Sequence, residues 1–474
     1  MTSLTLATLD AGTKGLDAGA LAGLRNGLDG DAIAAGDAGY DEARTVWNAM
    51  IDRKPGLVVR CRSAADVACA VGFAAEHGLL TAIKGGGHNI GGNAVCDDGL
   101  MLDLSAMRGV EVDAAARTAS VEPGALLADV DAATQMHGLA LPTGINSTTG
   151  IAGLTLGGGY GWLSRKHGLT IDSLEAVEIV TPDGGSRRAS ASENPDLFWA
   201  IRGGGGNFGV VTRFHFKLHE LGPEILSGFV VHPFEAAPEV LRDYRRIAAA
   251  MPDELSVWVV MRKAPPLPFL PEEWHGKEAL VFAACYAGDM VEGEKALAPL
   301  RALGTPIADV IGPHPYAGWQ QAFDPLLTPG ARNYWKSHNF DAIDDGLIDL
   351  LTEGVGRLPT EECEVFIAQL GGATKRVDAD STAFAQRSAS FMMNVHTRWQ
   401  DPALDTHCTA WARELFDRAA RFATGGVYVN FMPEDETGRV KSAFGPSYDR
   451  LAKIKAKADP NNLLRMNMNI RPAA

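Results

Sequence analysis

Hydrophobic positions in the first third of the chain repeat with the periods of short helices and strands. Ser63 precedes an apolar run of helical period that ends at His77, and an acid three positions later makes Ser63 a suitable N-cap. Apolar segments typical of strands follow at 79–84, 100–104 and 118–121, and a second helix is predicted over 125–137. The first 40 residues are rich in Gly, Ala and Asp and are expected to be loosely ordered, apart from a short helix at 18–28.

A strictly alternating strand follows Asn207. In the segment VVTRFHFKL, Arg213, His215 and Lys217 alternate with apolar or small residues, which predicts a strand with one solvated face. Gly222-Pro223 interrupts the pattern, and we expect a domain boundary there.

The middle of the chain mixes strand and helix patterns without glycine fingerprints. Strands are predicted at 226–232, 255–262, 280–286, 365–371 and 391–396, with helices near 235–250, 291–303, 345–355 and 405–422. This arrangement favours an antiparallel sheet covered by helices, hence an α+β fold. The last 50 residues carry polar motifs instead of a core pattern.

Composition and charge narrow the function classes. A chain of 474 residues fits two or three domains, and its net charge of −15 argues against a nucleic-acid or anionic-membrane surface. The six cysteines form no CxxC pair, so we expect neither a metal site nor a disulfide framework. With no signal-like N-terminus and no apolar run of roughly 18 residues, the expectation is a soluble, cytoplasmic protein.

Three glycine-rich segments carry the candidate chemistry. Gly85-Gly86-Gly87-His88-Asn89 follows a predicted strand, and further runs occupy 150–161 and 203–209. Successive N–H groups in such turns form concave anion sites that suit a pyrophosphate. The strand–GxGxxG–helix context of a Rossmann site is missing, as is a Walker-type GK[ST]. A dinucleotide on a different scaffold is the preferred interpretation, and three unrelated flexible loops are the alternative.

Read together, the motifs resemble the FAD-linked oxidases with a berberine-bridge-type C-terminus, within the vanillyl-alcohol-oxidase class. The resemblance is carried by AIKGGGHNIGGNAV, LPTG, GGGYGWLSRKHGLTIDSLEAVEIVTPDG, NPDLFWAIRGGGGNFGVVTRFHFKL, YVNF and SYDRLAKIKAKADPNNLLRMNMNI. It implies a PCMH-type, two-subdomain FAD-binding domain over 1–222 (core about 47–222), a substrate domain over 223–422, and a C-terminal segment over 423–474 that returns to the FAD domain.

The resemblance assigns a specific role to His88. In such proteins the histidine of the GGH motif is joined to the 8α-methyl of FAD, which requires a largely neutral imidazole. Bicovalent members add a cysteine link where this chain has Asn146, so a single covalent link through His88 is expected. Thr149, at a position that influences oxygen access in plant relatives, permits oxidase behaviour.

The resemblance also implies the remaining flavin contacts. The expected cofactor-binding residues are Gly85, Gly86, Gly87, His88, Asn89, Thr143, Gly144, Thr148, Gly150, Gly153, Gly157, Tyr160, Gly161, Gly209, Val211, Asn430, Asn467 and Asn469.

Candidate catalytic bases come from the same resemblance. Tyr428 retains the first aromatic hydroxyl of the YxN(Y/F) segment, while Phe431 lacks the second. Lys336 is the candidate cation beside such a phenol, and Tyr334 is a rival base. The strand 366–372 carries no acid, so a carboxylate base is disfavoured, and Gln369 remains at most a substrate hydrogen-bonding group.

The expected function is an FAD-dependent oxidase of an alcohol, sugar or secondary-metabolite carbinol. O2 is the expected electron acceptor, and the small-molecule substrate and O2 are the only expected partners. The expected oligomeric state is a monomer or a small homo-oligomer. The alternatives are a C–N oxidase resembling 6-hydroxynicotine oxidase, an oxygen-insensitive dehydrogenase, and a flavin-binding module without turnover.

Overall fold

The computed structural model describes residues 4–474, and its N-terminal part is built from short strands. They are β1 (Leu4–Ala7), β2 (Thr13–Leu16), β3 (Asp31–Ala34), β4 (Leu57–Arg60), β5 (Thr81–Lys84) and β6 (Leu100–Asp103). The last four form one sheet in the order β3-β4-β6-β5, in which β6 runs parallel to both of its neighbours.

The predicted helix after Ser63 is confirmed, while the expectation of a loosely ordered N-terminus is wrong. The helix α3 (Ala64–His77) begins where the Ser63 hydroxyl accepts the Asp66 N–H at 3.2 Å. Strands β1 and β2 pair with each other, and Leu6 and Leu16 are buried in the core beside β4 and β6. Four-residue strands are too short to give a clear alternation, so composition was a poor guide there.

A second sheet follows in the same half of the chain. It contains β7 (Val110–Asp113), β8 (Thr118–Val121), β10 (Leu174–Val180), β11 (Ser186–Ser190) and β12 (Val210–Lys217), in the order β11-β10-β12-β8-β7, while β9 (Leu139–Ala140) pairs with β13 (His219–Glu220). The predicted alternation of β12 is confirmed, because Phe214 and Phe216 are fully buried and Lys217 is exposed.

The remaining strands form one antiparallel sheet of eight. They are β14 (Glu224–Pro233), β15 (Leu255–Lys263), β16 (Glu278–Tyr286), β17 (Ala308–Asp309), β18 (Gly312–Pro315), β19 (Arg332–Phe340), β20 (Glu364–Gln369) and β21 (Phe391–Trp399). Their order is β17-β14-β16-β15-β20-β21-β19, with β18 also on β14. Strand β19 is not among the predicted strands, because its segment RNYWKSHNF lacks the apolar alternation of its neighbours.

Helices cover one face of this sheet and leave the other face to the site. The other helices are α1 (Ala18–Asn26), α2 (Tyr40–Arg44), α4 (Leu127–Gln135), α5 (Ile151–Leu156), α6 (Ser164–His167), α7 (Pro195–Ile201), α8 (Ala237–Ala248), α9 (Met290–Arg301), α10 (Tyr316–Trp319), α11 (Asp345–Val355), α12 (Ala373–Arg376), α13 (Asp405–Ala419), α14 (Val440–Phe444) and α15 (Tyr448–Ala458). Helices α8, α9, α11 and α13 share a hydrophobic core with the sheet, as the α+β prediction requires. None of the helices within residues 4–474 is long and apolar enough to cross a membrane.

The C-terminal segment is fastened to the glycine loop at 203–209 by a buried ion pair. Lys455 of α15 donates to Asp459 at 2.6 Å and to the carbonyl oxygens of Asn207 and Leu464. The Asn207 amide in turn donates to the Met468 carbonyl oxygen and accepts the Ile470 N–H. This anchoring brings residues 464–470 back to the N-terminal half of the chain.

Candidate functional site

A cavity of about 320 Å³ lies between the glycine loops and the uncovered face of the eight-stranded sheet. It draws its lining from all parts of the chain. The predicted cofactor residues that line it are Gly85, Gly86, Gly87, His88, Asn89, Gly144, Gly150, Gly153, Gly157, Tyr160, Gly209, Val211, Asn430 and Asn467.

Two of the glycine loops touch through their backbones. A Cβ on Gly86 would lie 2.5 Å from the N and Cα of Gly150, so a side chain at either position would push the loops apart. Gly153 on α5 also lines the cavity, and a Cβ there would meet no atom within 4 Å. The loops therefore present backbone to an open space, which is how glycine-rich segments receive a phosphate-bearing ligand.

His88 is held at the wall of this cavity by one stacking contact and one hydrogen bond. Its ring stacks on Trp47 at a centroid distance of 4.5 Å, and its Nε2 lies 3.1 Å from the Thr148 hydroxyl oxygen. Burial lowers the pKa of His88 to about 3. The imidazole is therefore neutral at physiological pH, as a nucleophilic nitrogen must be.

Asn146 lines the cavity, at the position that the family resemblance assigns to the linking cysteine of bicovalent members. Its side-chain oxygen accepts both the backbone N–H of Thr148, at 3.0 Å, and the Thr148 hydroxyl, at 2.7 Å. Asn146, Thr148 and His88 thus form one continuous hydrogen-bonded series.

Four predicted cofactor residues do not line the cavity. The Thr143 hydroxyl accepts from Gln320, and Gly161 packs against the Thr143 carbonyl oxygen, so both lie behind the wall. Thr148 stands behind His88, and Asn469 also lies outside the lining set.

The C-terminal asparagines that do line the cavity behave differently from each other. Asn430 donates to the Leu154 carbonyl oxygen and to the Tyr428 hydroxyl, so it is fixed by the protein itself. Asn467 donates to the Leu464 carbonyl oxygen, but its buried Oδ1 has no partner within residues 4–474. An unpaired acceptor on a residue that lines a cavity is suited to a hydrogen bond from a bound ligand.

Tyr428 lines the cavity, but its hydroxyl oxygen accepts hydrogen bonds from two groups of the protein itself. The oxygen accepts the Gly159 N–H at 3.1 Å and the Asn430 amide at 3.0 Å. Burial raises the pKa of Tyr428 and outweighs these hydrogen bonds, which act in the opposite direction. The hydroxyl therefore stays protonated at neutral pH and holds the 157–159 turn against Asn430.

Tyr334 and Lys336, the other two predicted catalytic residues, lie on the wrong face of β19. The Tyr334 hydroxyl donates to Asp435 at 2.8 Å and accepts from Arg413, and the Lys336 ammonium donates to Glu436 at 2.8 Å. Neither residue lines the cavity. Because side chains alternate along a strand, Trp335 between them is the residue that does.

Gln369 is also outside the cavity, contrary to the role considered for it. Its side-chain amide donates to the Ala248 carbonyl oxygen of α8 at 2.7 Å, on the helix-covered face. Its own carbonyl oxygen accepts the hydroxyl of Tyr160, which stacks on Trp258 at 5.9 Å. Tyr160 therefore joins the glycine loop to the sheet.

The sheet and the segments packed on its uncovered face form a largely aromatic end of the cavity, which we call the substrate end. It consists of Tyr160, Trp258, Val260, Phe323, Leu327, Trp335, Glu364, Phe366, His396 and Phe431. Trp335 meets Phe431 edge-on at 5.5 Å, and Phe366 meets Phe431 at 5.9 Å. Three aromatic rings thus surround one side of the space.

One row of side chains across four strands supplies the charge at this end. Arg262, Glu364, His396 and Trp335 are successive register partners on β15, β20, β21 and β19. Arg262 donates to Glu364 at 2.8 Å, and His396 Nδ1 lies 3.3 Å from the other Glu364 oxygen. Burial alone would raise the pKa of Glu364, but Arg262 and His396 outweigh it and hold that pKa below its ordinary value.

Sequence reasoning missed Glu364 for a specific reason. The predicted strand begins at residue 365, and the family-like segment 366–372 contains no acid, whereas β20 begins at Glu364. Strand ends are the least certain part of such predictions. The row itself depends on strand register, which a single sequence does not provide.

Two family models match this chain, one in its N-terminal part and one at its C-terminal end. The model of an FAD binding domain matches residues 55–190, and the model described as "Berberine and berberine like" matches residues 427–471. An FAD-linked oxidoreductase of Dictyostelium discoideum is 30% identical over 430 residues, which cover 90% of this chain and 91% of that protein. The chain is a berberine-bridge-enzyme-like, FAD-linked oxidoreductase. The family resemblance and the α+β expectation are therefore confirmed, and FAD is the cofactor.

Solved structures agree on the fold of this oxidoreductase. The 6-hydroxy-D-nicotine oxidase of Arthrobacter nicotinovorans has a TM-score of 0.85 and 27% identity, covering 94% of this chain and 98% of that one. The glucooligosaccharide oxidase of Acremonium strictum, with a 6-S-cysteinyl, 8α-N1-histidyl FAD, has a TM-score of 0.85 and 24% identity, covering 96% and 99%. The second likeness concerns the fold alone.

Proposed function

We propose that this oxidoreductase binds FAD covalently through His88 alone and oxidises a compact, largely apolar alcohol, with O2 as electron acceptor and H2O2 as product. The observation that carries the proposal is one continuous cavity that joins the glycine loops and His88 to an ionised carboxylate among aromatic rings.

The residues present fit FAD. Gly86 and Gly150 bring backbone to the cavity wall, Gly153 leaves space beside it, and Asn467 offers a free acceptor. His88 would hold the flavin ring, and Gly153 of α5 with the turns at Gly157 and Gly209 would hold the pyrophosphate. A histidyl flavin is known on this fold from the glucooligosaccharide oxidase, and Asn146 offers no thiol for a second link.

The chemistry that FAD would supply when bound is acceptance of the hydride that leaves the substrate carbon. Glu364 is our candidate for the base that accepts the substrate O–H proton, because its carboxylate is ionised at neutral pH and lines the cavity. Arg262 and His396 orient that carboxylate, and the aromatic rings exclude water. Tyr428 is assigned a positioning role, since its hydroxyl oxygen is occupied by two donors.

The lining of the substrate end favours one of the expected substrate classes. A sugar presents several hydroxyl groups, each of which loses water on binding and requires a protein partner. Here Trp258, Phe323, Trp335, Phe366 and Phe431 face the space, and Glu364 with His396 supplies most of its polarity. An aromatic or aliphatic carbinol matches this lining better than an oligosaccharide does.

A C–N substrate is the second candidate, and the same carboxylate favours it. Aromatic faces beside an anion attract organic cations, so a cyclic amine would also be held near Glu364. The likeness to 6-hydroxy-D-nicotine oxidase is in line with this alternative.

The test compares three substrate panels in anaerobic flavin bleaching and aerobic peroxide release. Aromatic carbinols, oligosaccharides and cyclic amines are each mixed with the enzyme and with Glu364→Gln, which keeps the shape and removes the base. We expect carbinols to bleach the flavin and Glu364→Gln to slow bleaching by about 10² to 10⁴. Bleaching by sugars alone, or at an equal rate in Glu364→Gln, would contradict the proposal. Bleaching without peroxide would identify a dehydrogenase.

A further inference from the structure

We propose that Asn146 and Thr148 hold His88 in the tautomer that carries its proton on Nε2, which leaves the lone pair of Nδ1 free to form the flavin bond. The proposal rests on the His88 link proposed above and concerns how this chain prepares the nucleophile. It gives Asn146, which stands where a second link would otherwise form, a function of its own.

The direction of the hydrogen bonds is determined from Asn146 outward. The backbone N–H of Thr148 can only donate, and it lies 3.0 Å from one side-chain atom of Asn146. That atom must therefore be the carbonyl oxygen, Oδ1, which fixes the orientation of the amide. The orientation follows from the chemistry of the partner and needs no knowledge of hydrogen positions.

The Thr148 hydroxyl comes next in the series. Its oxygen lies 2.7 Å from the same Oδ1, which has no hydrogen to give, so the hydroxyl must donate. A threonine hydroxyl has a single hydrogen, and this bond uses it. Toward any other neighbour, Thr148 Oγ1 can only accept.

His88 is that other neighbour. Its Nε2 lies 3.1 Å from Thr148 Oγ1, and a hydrogen bond to an oxygen that can only accept requires a proton on Nε2. Since burial keeps the ring neutral, its one proton is then on Nε2 and not on Nδ1. Trp47 stacks on the ring and fixes its plane, so Nδ1 keeps one direction.

The same hydroxyl has a second task when the bond forms. Joining Nδ1 to the 8α-methyl carbon breaks one methyl C–H bond and, if the imidazole is to stay neutral, the Nε2–H bond. The flavin takes up the two protons and the electron pair and is thereby reduced by two electrons. O2 then accepts both electrons and both protons and is released as H2O2. Nε2 then has a lone pair, and the Thr148 hydroxyl can turn from Asn146 to donate to it. Serine could do the same, whereas valine could not.

The experiment measures the fraction of bound flavin that resists acid precipitation, in Thr148→Val, Thr148→Ser and the unmodified enzyme. Each purified protein is incubated with FAD under air and sampled over time, with total bound flavin measured in parallel. We expect Thr148→Val to bind flavin but to form the covalent link about tenfold more slowly, since one directing hydrogen bond is lost. Thr148→Ser should stay within about twofold of the unmodified enzyme.

Asn146→Ala is the second variant and does not alter Thr148. Without the Asn146 acceptor the Thr148 hydroxyl is free to donate to Nε2, which mixes the tautomers, so the link should form several-fold more slowly at unchanged flavin content. Asn146→Ala also decides the matter if Thr148→Val fails to fold. Link formation at the unmodified rate in the folded variants would overturn the tautomer proposal alone. Complete release of flavin from the unmodified enzyme would overturn the His88 link, and the tautomer proposal with it.

Discussion

The two ends of the cavity are built from different materials. The cofactor end, formed by the glycine-rich segments around His88, presents mainly backbone: Gly86 and Gly150 touch, and Gly153 opens directly onto the space. Most side chains of the substrate end come from one face of a sheet, with Glu364 and Trp335 in the same cross-strand row. Backbone binding requires particular residues in short sequence motifs, whereas a sheet face can change one side chain at a time without changing the fold.

This difference has a consequence for mutations. Changes at the cofactor end should alter flavin content or folding, because they displace main chain. Changes at the substrate end should alter turnover and leave flavin content as it is. The predictions below test that separation, beginning with the largest expected effect.

The anchor of the C-terminal segment should show the largest effect. Lys455→Met leaves Asp459 charged and unpaired in a fully buried position, which should lower the free energy of unfolding by about 3–5 kcal/mol. Denaturant unfolding with flavin fluorescence measures this. The double variant Lys455→Met/Asp459→Asn is the control and should recover part of the loss. Equal stability of Lys455→Met and the unmodified enzyme would contradict the role of the anchor.

The contact between the glycine loops comes second. Gly86→Ala places a methyl group 2.5 Å from Gly150, and overpacking of about 1–3 kcal/mol should weaken FAD binding roughly tenfold to hundredfold. Flavin content after dialysis measures it in the His88→Ala background, because the proposed covalent link would otherwise retain the flavin. Gly72→Ala is the matched control, because a Cβ there meets nothing within 4 Å in the middle of α3. Equal flavin content in His88→Ala and His88→Ala/Gly86→Ala would remove the argument for a backbone cradle.

The aromatic wall is the corresponding test at the other end. Trp335→Ala removes a ring from the row and should reduce kcat/KM by about tenfold, as expected for one lost aromatic contact, with flavin content unchanged. Steady-state kinetics on the substrate that bleaches the flavin measures this, and Trp335→Phe should recover most of the activity. Loss of flavin from Trp335→Ala would show that the two ends are not separate.

The pH dependence should be the smallest effect. Arg262 and His396 hold the pKa of Glu364 below its ordinary value, so it is an ionised base throughout the neutral range. Turnover should therefore be insensitive to this group from pH 6 to 8 and should decline only at a pH below the ordinary range of a glutamate carboxyl group. The same group stabilises the fold above its unfolded-state pKa, and this contribution is lost on acidification. A turnover pKa near neutrality that disappears in Glu364→Gln would contradict the assignment.

The same contrast explains what the sequence could predict. The GGGHN loop, the later glycine runs and Asn467 occur in motifs, because a backbone cradle is local in sequence, and most of those residues do line the cavity. Tyr334 and Lys336 belong to the segment that reaches the cavity, but β19 is not among the predicted strands. Without that strand, the sequence could not show that Trp335 faces the cavity while its two neighbours face the other way. The Glu364–His396 pair depends on the register of β20 and β21, whose residues are 32 positions apart. No local pattern contains that information.

Peptide mapping of the unmodified enzyme tests the central claim most directly. Trypsin should release residues 85–108, which contain His88, and residues 118–165, which contain Asn146. Mass spectrometry should find the mass of FAD on the first peptide, with fragment ions that locate it on His88, and no flavin on the second. Flavin on the second peptide, or both peptides unmodified beside free FAD, would contradict a single link through His88.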